Sequence, residues 1–226
     1  LLESLQSAGV TKAYMVIRKG KWDIPAYLGD GEGLNLNLAY LMMGLPFGVP
    51  YTLDQAYPFV RDAVVVFGFP DIVFQPEHAF TPLLEKQNES HADVVLGLFP
   101  AHQPSQADMV DLDTAGRVRG IRIKPSRTDL RYTWIIAVWT PVFTRFMHDH
   151  VLAHKGAAGD RKPDMHRPDK EELHVGHVIQ AALDNRLHID SVLFASGRYV
   201  DIGIPEDMVK AVQWAPMPEN NTPPQG

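Results

Sequence analysis

The sequence predicts an α/β protein, a three-layer α/β/α sandwich built on a mostly parallel, twisted sheet. Three observations lead to this prediction. Segments of helical and strand-like character alternate along the chain. The apolar runs at residues 63–69 and 93–99 are continuous rather than alternating, as is typical of strands buried on both faces of a parallel sheet. A length of 226 residues fits one domain with a short appendage.

The N-terminal part of the chain is expected to form a helix, two strands and a second helix. A helix over residues 1–8 would end at Gly9, which tolerates the positive φ common at helix C-termini. Residues 12–18 are rich in apolar and β-branched side chains, and residues 34–42 alternate in polarity, so both segments predict strands. A second helix is predicted over residues 52–60.

The central part of the chain continues the alternation of helices and strands. An amphipathic pattern predicts a helix over residues 76–87. Two strands, at residues 109–112 and 118–123, are joined by a turn that contains Asp and Gly, so they predict a hairpin. The apolar segment 134–139 predicts a further strand, and residues 141–154 a helix.

The C-terminal part of the chain adds the last predicted elements. Residues 171–185 carry apolar side chains at helical spacing and predict a helix. Short strands are expected at residues 191–194 and 198–200, and a final helix over residues 205–214.

Composition and charge exclude several functional classes. The chain has no cysteine, which excludes thiol catalysis, Cys-ligated zinc and iron–sulfur clusters. Its net charge of −6 argues against nucleic-acid binding. No apolar run is long enough to predict a membrane span, so we expect a cytoplasmic protein without membrane contact. The expected organisation is one domain over residues 1–215 and a flexible, Pro-rich tail over 216–226.

Three charged residues lie where open α/β sheets bind ligands, just after predicted strands. Asp71 follows the apolar run after Pro70, and Asp201 follows another short strand. Taken singly, such residues are usually turn or N-cap residues, but two of them facing one crevice would suit Mg²⁺. Lys124 follows the predicted hairpin and could either bind a phosphate or extend its stem along an apolar edge.

Short segments in a fixed order resemble a known family, the sugar-1-phosphate nucleotidyltransferases of the glucose-1-phosphate thymidylyltransferase type. The segments extend over nearly the whole chain, and their order is more specific than any one of them. They are Leu28-Gly29-Asp30-Gly31, Leu45-Pro46-Phe47-Gly48, Asp71, Lys124-Pro125, Glu172-Leu173 and Tyr199-Val200-Asp201-Ile202-Gly203.

The resemblance implies a Rossmann-like fold of the nucleotide-diphospho-sugar transferase type and a reaction. The family joins a sugar 1-phosphate to a nucleoside triphosphate and releases pyrophosphate. By position, Asp71 and Asp201 would hold Mg²⁺ and Lys124 would contact the sugar phosphate. Glu172 would hydrogen-bond sugar hydroxyls, and Gly48 would let the base approach the backbone. Relatives are often oligomeric, so a homo-oligomer is a further expectation.

The sequence also departs from the family pattern at several positions. Pro70 stands where a Gly usually precedes the metal-binding Asp. Met43 replaces a Gln that reads the base, so the nucleotide preference stays open. Ala137 would replace a Gly of the sugar site, and Gly176-His177 stands where Thr-Asp is common.

A Gly-rich loop ending in Arg, with a Lys shortly after, would lie upstream of residue 1 if the pattern of the family holds. With that loop we expect an enzyme. Without it, the alternative is a non-catalytic nucleotidyltransferase-like domain that binds a sugar nucleotide or a regulatory partner. A glycosyltransferase that consumes nucleotide sugars is a third hypothesis.

Histidines are concentrated in one stretch of the sequence. A zinc site is the less favoured interpretation, because no recognisable ligand spacing is present, and solvated side chains are expected instead. The residues are His148, His150, His154, His166, His174 and His177.

Overall fold

The structure is a computed structural model that describes residues 1–44, 48–158 and 172–203. Within these ranges two short 3₁₀ turns accompany the helices and strands. The helices are α1 (Leu2–Ser7), α2 (Asp23–Leu28), α3 (Val49–Asp54), α4 (Tyr57–Val60), α5 (Phe80–Ser90), α6 (Pro141–Ala158) and α7 (Val175–Asp184). The strands are β1 (Lys12–Arg18), β2 (Asn37–Met43), β3 (Val65–Gly68), β4 (Ile72–Gln75), β5 (Val94–Pro100), β6 (Asp108–Leu112), β7 (Val118–Ile123), β8 (Tyr132–Trp139), β9 (Ile189–Leu193) and β10 (Arg198–Asp201).

The main sheet has six strands. Its order is β7-β6-β8-β5-β9, and β3 pairs with the second half of β8. Two smaller ladders stand beside it: β1 pairs with β2, and β10 pairs with β4. The pairs β1–β2 and β5–β9 are parallel, and the other ladders of the described strands are antiparallel.

The predicted α/β class is confirmed, but the prediction of a mostly parallel sheet is wrong, because most ladders of the described strands are antiparallel. A continuous apolar run indicates that both faces of a strand are buried, but it does not indicate whether the neighbouring strands are parallel or antiparallel. Strand β5 illustrates this, because it is buried at nearly every position and has an antiparallel neighbour on one side and a parallel one on the other.

Helices cover both faces of the main sheet. In β5, Val94, Leu96 and Leu98 pack into a hydrophobic cluster with α3, α6 and α7. Val95 and Phe99 pack into a second cluster with α1 and α5 on the opposite face. This alternation gives the three layers that the sequence predicts.

Several predicted elements change in the structure. The predicted helix 52–60 starts earlier and divides into α3 and α4, with Pro58 in the first turn of α4. The apolar run 63–69 forms only the short β3, whose residues are half-buried, and Val64 is 48% exposed. The cause is that β3 pairs with β8 alone among the described strands. The predicted helix 205–214 and the tail lie outside the described residues.

No helix within the described ranges is both long and apolar enough to cross a membrane.

Polar contacts join α3 to α6. The Asp54 carboxylate lies 2.6 Å from Nδ1 of His148 and 3.6 Å from Nζ of Lys155. Its side chain is only 8% exposed, so these partners replace most of its water. Nearby, the Tyr51 hydroxyl and Nδ1 of His154 share a hydrogen bond of 2.6 Å. His148 and His154 therefore connect α6 to α3, and they are not fully solvated side chains.

Replacing Asp54 should loosen this helix pair. We expect Asp54→Ala to lower the free energy of unfolding by about 2 kcal/mol, because His148 loses its hydrogen-bond partner and Lys155 loses the carboxylate that it faces. Urea unfolding at neutral pH measures the difference. Asp149→Ala is the matched control, because Asp149 is exposed on α6. Equal effects of the two variants would contradict a stabilising role of Asp54.

Candidate active site

The structure brings the two predicted metal ligands together. Asp201 ends β10, where it is paired with Ile72, the residue after Asp71. The backbone N–H of Ile202 donates to the carbonyl oxygen of Asp71 over 2.7 Å. The antiparallel β4–β10 ladder therefore places two residues from distant parts of the sequence side by side.

Their carboxylates also face one point, which lies at Gly203. A methyl group built on Gly203 would stand 3.0 Å from Oδ1 of Asp201 and 3.5 Å from Oδ2 of Asp71. The two oxygen atoms thus cannot be farther apart than the sum of these distances. Both aspartates are exposed, and the backbone N–H of Gly203 donates to Oδ1 of Asp201 over 2.8 Å. Two neighbouring carboxylates are a donor set that fits Mg²⁺.

A cavity of about 460 Å³ opens at the carboxyl ends of the parallel strands β1 and β2. The last residues of these strands, Arg18 and Met43, are paired in register. Ligands commonly bind at such strand ends. Sequence reasoning singled out Met43, Gly48 and Glu172 but missed the cations. The cavity is lined by Arg18, Lys21, Asp23, Met43, Gly48, Thr52 and Glu172, with apolar side chains of β1, α2 and α3.

Gly48 has a role that the sequence did not reveal. Its φ of 115° and ψ of 161° lie in a region that is essentially restricted to glycine. A Cβ atom at this position would stand 2.2 Å from the carbonyl oxygen of Leu173. The contact sets the segment with Glu172 directly against the start of α3. Approach of a base to Gly48 stays a prediction.

Lys124 is held in an unusual backbone conformation at the end of β7. Its φ is 38°, and its N–H donates to the carbonyl oxygen of Ala107 over 3.2 Å. Asp108, the residue after Ala107, has a half-buried side chain. Burial raises the pKa of Asp108, and the positive charges of His174 and Lys124 oppose that rise. No pattern in the sequence singles out Asp108.

Asp108 also explains a departure from the family pattern. A methyl group at Gly176 would stand 2.5 Å from Oδ2 of Asp108. A Thr at this position would therefore overlap the carboxylate, whereas Gly leaves room for it.

Two histidines cap the start of α7. The N–H of His174 donates to Nδ1 of His177 over 3.2 Å, and the His174 side chain accepts in return from the backbone there. Burial and the neighbouring His174 lower the pKa of His177. Within the described ranges, no three side chains of His, Asp or Glu are grouped to hold a metal ion, so the zinc interpretation gains no support. His166 lies outside these ranges.

Ala137 does not line the candidate site. It lies in the middle of β8, between β3 and β5, and only 1% of its surface is exposed. Its methyl group packs in the core cluster beneath α6 and α7. A ligand therefore has no access to the side chain that the resemblance placed in the sugar site.

The covered mixed sheet defines an α/β fold of the Rossmann-like type, and the chain is similar in sequence to sugar-phosphate nucleotidyltransferases. No family model matches the chain. The chain is 26% identical over 213 residues to the low-salt glycan biosynthesis nucleotidyltransferase of Haloferax volcanii. The aligned region covers 94% of this chain and 55% of that protein. It is 24% identical over 220 residues to the glucose-1-phosphate thymidylyltransferase of Streptomyces antibioticus, and this alignment covers 92% of this chain and 54% of that protein. The chain thus spans about half the length of the curated relatives it matches.

Solved structures share the fold. One is a Bacillus anthracis structure assigned to the glucose-1-phosphate thymidylyltransferases, in complex with a sucrose. Its TM-score is 0.77 at 16% identity, with 95% of this chain and 80% of that chain covered. A UDP-glucose pyrophosphorylase complexed with UDP-glucose gives a TM-score of 0.74 at 11% identity, and the match covers 94% of this chain and 83% of that chain.

Proposed function

We propose that the protein is a sugar-1-phosphate nucleotidyltransferase, which joins a sugar 1-phosphate to a nucleoside triphosphate with Mg²⁺ as cofactor. The observation that carries the proposal is the meeting of Asp71 and Asp201 at Gly203. A divalent cation beside phosphates is typically held by one or two carboxylates. The relationship to nucleotidyltransferases in sequence and fold supports the same reaction.

The chemistry needs no side-chain nucleophile. An oxygen of the sugar phosphate forms a bond to the α-phosphorus of the triphosphate while the bond to pyrophosphate breaks. Positioning and neutralisation of charge supply most of the acceleration of such a transfer. Mg²⁺ bound by Asp71 and Asp201 would supply part of that neutralisation. Lys124 would bring a positive charge to the sugar phosphate.

The cavity suits the two organic groups of the substrates. Glu172 can accept hydrogen bonds from sugar hydroxyls, and Arg18 and Lys21 add positive charge for phosphate oxygens. Met43 offers a thioether, which also accepts from the Thr52 hydroxyl over 3.3 Å, where an amide would read a base. The identity of the nucleotide base and of the sugar is therefore not specified by these residues. Assembly into a homo-oligomer and a cytoplasmic location stay predictions as well.

Release of pyrophosphate tests the proposal. The full-length protein is incubated with Mg²⁺, each of several nucleoside triphosphates and each of several hexose 1-phosphates. Pyrophosphate that forms only when both substrates are present supports the enzyme. Binding of a nucleotide sugar without turnover supports the non-catalytic alternative. Hydrolysis or transfer of the sugar from a nucleotide sugar supports a glycosyltransferase.

Lys124 gives a specific check on the sugar-phosphate end of the site. We expect Lys124→Ala to lower kcat/KM for the sugar phosphate by about a hundredfold, because the positive charge that would hold the attacking sugar phosphate is lost. Lys12→Ala is the control, since Lys12 is exposed at the opposite end of β1. Steady-state kinetics at saturating triphosphate gives the comparison. Similar rates for both variants would contradict the role of Lys124.

A further inference from the structure

The carboxylate of Asp108 lies between two segments of the candidate sugar-phosphate site. On one side is the end of β7, because Asp108 begins β6 opposite Ile123, the residue before Lys124. On the other side is the start of α7, where the Asp108 carboxylate lies against the backbone of Gly176: a methyl group built there would stand 2.5 Å from Oδ2 of Asp108. Glu172 precedes that helix by only a few residues.

The position of Asp108 is itself fixed by the strands. The buried Thr133 hydroxyl on β8 donates to the carbonyl oxygen of Asp108 over 2.9 Å. A second contact docks α7 on the edge of the hairpin, since the Gln180 side-chain oxygen accepts from the N–H of Ile121 over 2.7 Å. Asp108 is therefore a rigid point to which the helix start is attached.

The charges around Asp108 partly offset the rise in its pKa that burial causes. The groups that face it are His174 and His177 from the start of α7 and Lys124 from the end of β7. A carboxylate in this position attracts the ammonium group of Lys124 and is also stabilised by the positive end of the α7 dipole.

We propose that Asp108 is a positioning residue for the sugar-phosphate site, which fixes the start of α7, with Glu172, relative to the strand end that carries Lys124. The proposal rests on the proposed function. It assigns Asp108 no contact with substrate and no step in bond making. Its contact with Gly176 holds two substrate-facing segments at a constant separation, so its loss should weaken sugar-phosphate binding more than triphosphate binding.

Kinetics of Asp108 variants in the full-length protein provide the first test. We expect Asp108→Ala to raise KM for glucose 1-phosphate, or for the hexose 1-phosphate that proves active, by about tenfold. KM for the triphosphate should stay within about twofold. Asp108→Asn keeps a side chain of the same size against Gly176 and should recover part of the loss. Asp111→Ala is the matched control, because Asp111 lies on the same strand but pairs with the exposed Arg119.

A second pair of variants tests the contact itself. Gly176→Ala places a methyl group against the Asp108 carboxylate and should raise KM for the sugar phosphate. In the Asp108→Ala background the space is free, so the same change should add little. Additive effects of the two substitutions would overturn the proposal.

NMR separates failure of this inference from failure of the proposed function. In labelled protein, the amide proton of Gly176 should titrate together with the carboxyl carbon of Asp108, at a pH above the ordinary range for Asp. The titration should vanish in Asp108→Asn, and the Lys124 side-chain signals should shift. If the wild type turns over no sugar phosphate but these signals behave as expected, the function fails and the positioning contact stands. If Gly176 does not follow Asp108, or both KM values change equally, the inference is wrong.

Discussion

Asp71→Asn and Asp201→Asn should each reduce the release of pyrophosphate by about a thousandfold at saturating substrates. Each change replaces a negative oxygen by a neutral amide at the point where the two side chains meet near Gly203. The affinity for a hard divalent cation then falls, because carboxylate oxygens are its preferred protein ligands. Raising the Mg²⁺ concentration should restore part of the activity in either variant.

The control for these variants is Asp149→Asn, an exposed carboxylate on α6 that should leave the rate unchanged. Circular dichroism and thermal unfolding should show that all three variants keep their fold, since both site aspartates are exposed. Binding of Mg²⁺ measured by calorimetry gives a readout that does not depend on turnover. Wild-type rates in either site variant would refute the metal-binding roles of Asp71 and Asp201.

Gly48→Ala should lower the free energy of unfolding by about 4 kcal/mol. Two costs combine in this substitution. The φ of 115° and ψ of 161° are strained for any residue with a side chain. The added methyl group would also stand 2.2 Å from the Leu173 carbonyl oxygen, so the backbone of that segment has to move. Because Glu172 precedes Leu173, KM for the sugar phosphate should rise as well.

Gly33→Ala is the matched control for this prediction. A methyl group at Gly33 meets no atom within 4 Å, and its φ is not positive. Denaturant unfolding of both variants measures the difference in stability. A loss for Gly48→Ala no larger than for Gly33→Ala would show that the close approach to Leu173 has no energetic consequence.

Local patterns predicted most of the elements correctly. Strand β1 has the predicted bounds, and the β6–β7 hairpin and β8 follow their apolar and turn patterns closely. The predictions for these segments are correct because the local pattern of apolar and polar side chains matches the burial of each segment in the fold. The division of the predicted helix 52–60 was not foreseen, because a Pro can either begin a helix or interrupt one. β4 was also missed, since its partner β10 lies far away in the sequence.

The candidate site was predicted unevenly for a similar reason. Asp71, Asp201 and Lys124 were selected from their places after strands and from the family resemblance. Ala137 was placed in the sugar site, but β8 carries it into the core. Asp108 was not selected, because its meaning depends on Gly176 and His174, which approach it only in the folded chain.

Local hydrophobic periodicity and residue order are enough to predict the α/β class, the family resemblance and the acidic side chains that follow strands. The folded chain is needed to find the direction of strand pairing, the proximity of Asp71 to Asp201 and the contact of Gly48 with Leu173. Those features arise from packing between segments that are distant in the chain. The free energy of such contacts depends on both partners, and neither segment alone encodes it.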